Sequence, residues 1–177
     1  MKNKTILPFI IVCLLLQSCE FHCSVGNAEE SNKSSKTNSK TPWSNNIHLE
    51  ANDVKVKDAY LVYADGSRVS ADNRVEFNQT IKMIVLIDSG WTIHDNKVFL
   101  GASETIVDKD GSVLMVKDDL FEKYPDGISA GDARIIGLSA TIKYQEQQHP
   151  EMVQVRFKVW DKKAPGFIEG HYDLYAK

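Results

Sequence analysis

Over the last two-thirds of the chain, hydrophobic and polar positions alternate with a period of two. Between Met152 and Trp160, Val153, Val155, Phe157 and Val159 share one parity and Gln154, Arg156 and Lys158 the other. This is the pattern of a strand with one face in a core and one in water. Ile168, Gly170, Tyr172 and Leu174 repeat it against Glu169, His171 and Asp173. The intervening stretch from Asp161 to Gly166, with its Pro165-Gly166 pair, predicts a hairpin. Residues 54–63 start with Val54 and Val56 inward and change parity to Ala59, Leu61 and Tyr63, which predicts a β-bulge near Asp58. The run from Thr80 to Asp88 is almost wholly apolar and reads as a central strand covered on both faces. Residues 97–100, 104–107, 112–116 and 135–142 add further strands, with Asp108-Lys109-Asp110-Gly111 as a hairpin turn. Asp118 is placed to cap one short helix through Leu120, Phe121 and Tyr124, stopped by Pro125, and a second helical turn is expected at 129–133. About seven strands with turn signals between them predict an all-β, immunoglobulin-like β-sandwich over residues 47–177, a closed barrel being the structural alternative.

The first residues follow a different pattern. Lys2 and Lys4 precede an apolar stretch from Ile6 to Leu16, broken only by Pro8. It is shorter than the ~20 residues of a membrane-spanning helix and suits a secretory signal. It ends in Leu16-Gln17-Ser18-Cys19, which resembles the lipobox of bacterial lipoproteins. The resemblance implies removal of residues 1–18, attachment of acyl chains (palmitate among them) to Cys19, and stable anchoring in a membrane of the cell envelope. Glu20 rather than Asp after the cysteine implies the outer membrane, with the periplasmic face favoured over the cell surface. Residues 20–46, rich in Ser, Asn, Lys, Thr and Glu, read together with Cys19 as a flexible tether. Its root-mean-square span would be about 25–30 Å.

Charge and cysteine content narrow the function classes. The chain carries 21 basic and 24 acidic residues, and losing Lys2 and Lys4 with the leader takes the net charge from −3 to −5. Such a domain lacks the clustered cations that phosphate contacts need, so no nucleic-acid partner is expected. Cys13 leaves with the leader and Cys19 takes lipid, so Cys23 has no partner for an intramolecular disulfide.

Candidate chemistry is sparse. Val85-Leu86-Ile87-Asp88-Ser89-Gly90, with Ile135-Ile136-Gly137 downstream, resembles the active-site segments of retropepsin-like aspartic proteases. The resemblance implies Asp88 as a catalytic carboxylate shared with a second copy. Trp91 departs from the small residue usual after the glycine, and Asp-Ser-Gly also serves simply to end a buried strand in a turn. A calcium-loop reading of Asp108 to Ser112 fails on spacing, because Ile106 and Lys117 would stand at ligand positions. Asp118, Asp119 and Asp126 read as solvated loop acids. His48, His94, His149 and His171 show no metal-ligand spacing, and no phosphate loop, nucleophile elbow or dinucleotide fingerprint is present. No metal and no cofactor is therefore expected. Trp91 and Trp160 at strand ends, with His171 and Tyr175 on the parity that Trp160 would share, form a candidate binding patch. The expected function is a lipid-anchored, non-catalytic binding or scaffold module, its partner an envelope protein or a glycan. The membrane-anchored protease using Asp88 is the alternative.

Overall fold

A computed structural model describes residues 20–25 (backbone only), 43–76, 78–141 and 151–177. The leader, Cys19, residues 26–42 and Ile142 lie outside them. The strands are β1 (Glu20–Val25), β2 (His48–Asn52), β3 (Lys55–Tyr63), β4 (Arg74–Val75), β5 (Thr80–Ser89), β6 (Lys97–Val98), β7 (Leu100–Asp108), β8 (Val113–Lys117), β9 (Ile128–Ser129), β10 (Ile135–Thr141), β11 (Met152–Asp161) and β12 (Phe167–Ala176). One sheet has the order β1-β10-β5-β3 and the other β2-β12-β11-β7-β8, with β4 joining the end of β12 in parallel and β6 pairing β9 separately. Taken in chain order, with the two-residue strands β4, β6 and β9 set aside, β3, β5, β7, β8, β10, β11 and β12 thus occupy the A, B, C, C′, E, F and G positions of an immunoglobulin-like sandwich.

The alternating segments place the core where expected. Val153, Val155, Phe157 and Val159 of β11 and Ile168, Tyr172 and Leu174 of β12 are buried. So are Ala59 and Leu61 of β3, Met83 and Val85 of β5, and Ile136 and Leu138 of β10. β11 and β12 form the expected hairpin, closed by Asp161 N–H to the Gly166 carbonyl at 2.9 Å. The register of β3 slips between Lys55 and Asp58, where the parity change predicted a bulge. In the β7–β8 turn Gly111 takes φ +83 and Asp108 Oδ1 accepts from the N–H groups of Asp110 and Ser112.

Two local expectations are corrected. β5 is central in its sheet but buried on one face only, with Lys82, Ile84 and Leu86 half-buried on the other. The strand buried throughout is instead β10, from Ile136 to Thr141. Residues 118–124 form turns rather than a helix. Leu120 N–H goes to the Ala102 carbonyl of β7, and Asp119 Oδ1, not Asp118, receives the N–H of Phe121 at 2.8 Å. The second expected turn is present as a short 3-10 element, Asp132–Arg134, with Ser129 Oγ accepting from Asp132 N–H.

Structure also extends into the segment read as tether. β1 pairs antiparallel with β10, from Glu20 opposite Thr141 to Val25 opposite Ile136. Phe21, Cys23 and Val25 alternate with polar residues there, a strand pattern inside a polar segment. Just before residue 47, Trp43 bridges to Ile47 and the turn between them, Ser44–Asn46, carries a buried side chain. Asn45 Nδ2 reaches the carbonyls of Val69 and Ser70 and Oδ1 of Asn73, each at 3.0–3.1 Å, while its Oδ1 receives Leu61 N–H. Asn73 Nδ2 in turn donates to the carbonyls of Asn45 and Asp173. Both residues take positive φ, 59 and 56, which asparagine tolerates better than most side chains. This pair joins the N-terminal turn, β3, the loop before β4, and β12.

Candidate functional site

The outer face of the β2-β12-β11-β7-β8 sheet gathers most of the residues the sequence singled out. Outward positions on β11 are Gln154, Arg156, Lys158 and Trp160. Register sets them opposite Asp173, His171, Glu169 and Phe167 of β12. Trp160, His171 and Tyr175 therefore do share one face, and Trp160 is half-buried rather than a cap inside the core.

Gly101 of β7 explains how Trp160 lies. It is the register partner of Trp160, and a Cβ added there would collide with the indole and stand 2.7 Å from its Nε1. The indole thus occupies the space over Gly101 that a side chain there would fill. On its other side stands Phe167, over whose ring the Lys158 ammonium sits 4.5 Å from the centroid. Lys158 also pairs with Glu169 Oε2 at 2.8 Å, both side chains remaining partly exposed. Further along the face, Arg156 Nε donates to Gln154 Oε1 (2.8 Å) and Gln154 Nε2 to Asp173 Oδ1 (3.0 Å). Two adjoining aromatic rings bordered by ammonium, carboxylate, amide and guanidinium groups can stack on apolar ring faces and hydrogen-bond to hydroxyls.

The remaining candidates lie elsewhere. Trp91 packs against the core, and its indole N–H is buried without a partner among the described residues. It does not join the outer-face patch. Nearby, Asp161 is buried and accepts from Thr92 N–H (2.8 Å), tying the β11–β12 hairpin to the segment after Trp91. Asp88 is exposed at the end of β5. Asp119 holds the β7 flank, accepting from Ala102 N–H and from Lys162 Nζ at 2.6 Å. Burial pushes its carboxyl upward, but the Lys162 ammonium and the two backbone N–H groups outweigh that and hold it below the usual carboxylate range.

Two features escaped the sequence reading. One is a cleft of about 490 Å³ at the end of β3, lined by Tyr63, Asp65, Ser67, Glu76, Gln79 and Lys177. The other is a carboxyl inside the core. Glu104 of β7 is fully buried, on the inward parity between Ala102 and Ile106, and among the described residues neither of its oxygens has a hydrogen-bond partner. Burial alone pushes its pKa up to about 8. The Tyr172 hydroxyl is likewise buried and unpartnered. Its pKa is raised first by burial and then by the charge of Glu104. The signal for Glu104 was present in the sequence as a carboxylate on the apolar parity of a strand.

No family model and no curated protein matches the chain. Among solved structures it is similar to the C-terminal domain of wzt, at 10% identity and a TM-score of 0.47, over 78% of this chain and 82% of that one.

Proposed function

We propose that the chain is a lipid-anchored protein of the bacterial envelope whose sandwich is a non-catalytic binding module, with carbohydrate bound on the outer face of the β2-β12-β11-β7-β8 sheet. The observation that carries the binding reading is the Trp160 ring, over Gly101 and beside Phe167 and bordered by Lys158 and Glu169. A sugar ring offers an apolar face for stacking and hydroxyls for such neighbours. The anchor reading rests on the lipobox-like Leu16 to Cys19. No helix among the described residues is long and apolar enough to cross a membrane.

If Cys19 carries the acyl chains, the pairing of β1 puts the lipid one residue before a strand of the domain. Little free tether then separates the membrane from the β1-β10-β5-β3 sheet. Two experiments test the proposal. Cys19→Ser should move the protein from the membrane fraction to the soluble fraction and abolish labelling by a palmitate analogue; unchanged labelling would refute the anchor. Trp160→Ala should weaken retention on immobilised envelope polysaccharide by about tenfold, the loss of one stacked aromatic. Equal retention of the two proteins would refute the binding face.

A further inference from the structure

The register between β2 and β12 brings together two histidines from opposite ends of the domain. His48 and His171 are direct cross-strand partners on the outer face, with imidazole centroids 4.8 Å apart and ring planes 15° from parallel. His48 is exposed and His171 partly so. We propose that they form a bidentate site for a divalent transition-metal ion, with copper(II) preferred over nickel(II) and zinc(II).

The spacing fits this chemistry. Two imidazoles bound to one ion through nitrogens at ~2.0–2.1 Å, in a cis or tetrahedral arrangement, have centroids about 4.5–5.3 Å apart. The pair is already at that separation, and rotation of two surface rings out of the stack points a nitrogen of each at a common position. Imidazole suits copper, nickel and zinc, and the intrinsic affinity order of divalent ions puts copper(II) first.

The surroundings add a second argument. Glu50 and Glu169, two positions along the same strands, are also direct partners. Like charges facing each other across a ladder repel, and Lys158 is paired with only one of them. A cation beside the histidines relieves that repulsion. On the other flank Arg156 is the β11 partner of His171 and opposes the cation, its guanidinium drawn along the strand to Gln154. Among the described residues no group of three or more His, Cys, Asp or Glu is assembled around one point, so the protein supplies two ligands and solvent the rest.

Gly170 sets the approach of the two strands. A Cβ there would collide with the His48 carbonyl oxygen and stand 3.0 Å from its carbon. Gly170 is thus a positioning residue that lets β2 lie close enough for the rings to meet.

The test is titration of copper(II) alone into the full-length chain, followed by calorimetry and electron paramagnetic resonance. One saturable equivalent with two imidazole nitrogens is expected. His48→Ala and His171→Ala should each remove the two-nitrogen signature and weaken that equivalent by about tenfold or more, since even outer-shell changes at metal sites cost that much. Arg156→Gln should tighten it, and Gly170→Ala should weaken it with both histidines retained. Should His171→Ala fail to fold, His48→Ala on the outer strand reads the same loss. A two-nitrogen equivalent that persists in the His48→Ala/His171→Ala double variant, or binding by the natural chain no tighter than by that variant, would overturn the site.

Discussion

Two regions of this sandwich bury polar side chains, and they do so in opposite ways. At the N-terminal turn, Asn45 and Asn73 exchange hydrogen bonds with each other and with the backbone of Leu61, Val69, Ser70 and Asp173. Between the sheets, Glu104 and Tyr172 present three polar atoms that find no partner among the described residues. In the first region the buried amides have regained what they lost on leaving water. In the second the desolvation cost stands, and Glu104 lowers it by staying protonated. Burial of a polar group is therefore not in itself a sign of stabilisation; the partner count decides.

The largest break in this contrast should come from Asn45→Ala. It strands Leu61 N–H, two carbonyls and Asn73 Oδ1 in the interior, and unfolding in urea should show a loss of about 3 kcal/mol or more. Asn73→Ala should cost somewhat less, about 2–3 kcal/mol, because fewer groups are orphaned.

Changes at Glu104 should go the other way. Its folded-state pKa, about 8, lies above the ordinary value of 4.5. Between those two values the folded chain holds a proton that the unfolded chain has released. Stability from this residue is therefore complete below the unfolded value and falls as pH rises, by about 1.4 kcal/mol per unit, until Glu104 ionises. Glu104→Gln should flatten that slope, and Glu104→Met should raise stability at neutral pH by about 2 kcal/mol. Urea midpoints measured from pH 5 to pH 8 check both, and a natural chain with no downward slope would contradict the contrast. The smallest effect belongs to Tyr172→Phe, which removes an unpartnered hydroxyl. It should be neutral or stabilising by up to about 1 kcal/mol, the reverse of the asparagine changes.

How much of this was legible in the sequence depended on whether a residue's role was local. Period-two alternation located β11, β12 and the bulge in β3, because the inward positions there, Gly170 apart, are filled by apolar side chains. Gly111 and Pro165-Gly166 marked their turns for similarly local reasons. Asn45 could not be read this way. In a polar segment a buried asparagine looks like a solvated one, and its partners lie up to 28 residues away in sequence. The helix expected near Asp118 is replaced by turns, in which Tyr124 N–H reaches the Phe121 carbonyl and Gly127 N–H the Tyr124 carbonyl, bonds of i to i−3 type. The outer-face patch was partly visible: parity alone put Trp160, His171 and Tyr175 on one side if β11 and β12 paired. Nothing in the spacing of His48 could show that register sets it against His171. Only the fold also shows that the Trp160 indole fills the space over Gly101.

The binding face itself is best tested by following backbone amide resonances of the chain while envelope oligosaccharide is added. Shifts concentrated at Gly101, Trp160, Phe167 and Glu169, and abolished by Trp160→Ala, are the expected result. Shifts confined to the cleft at Tyr63, Asp65 and Gln79, or unchanged in the Trp160 variant, would contradict it.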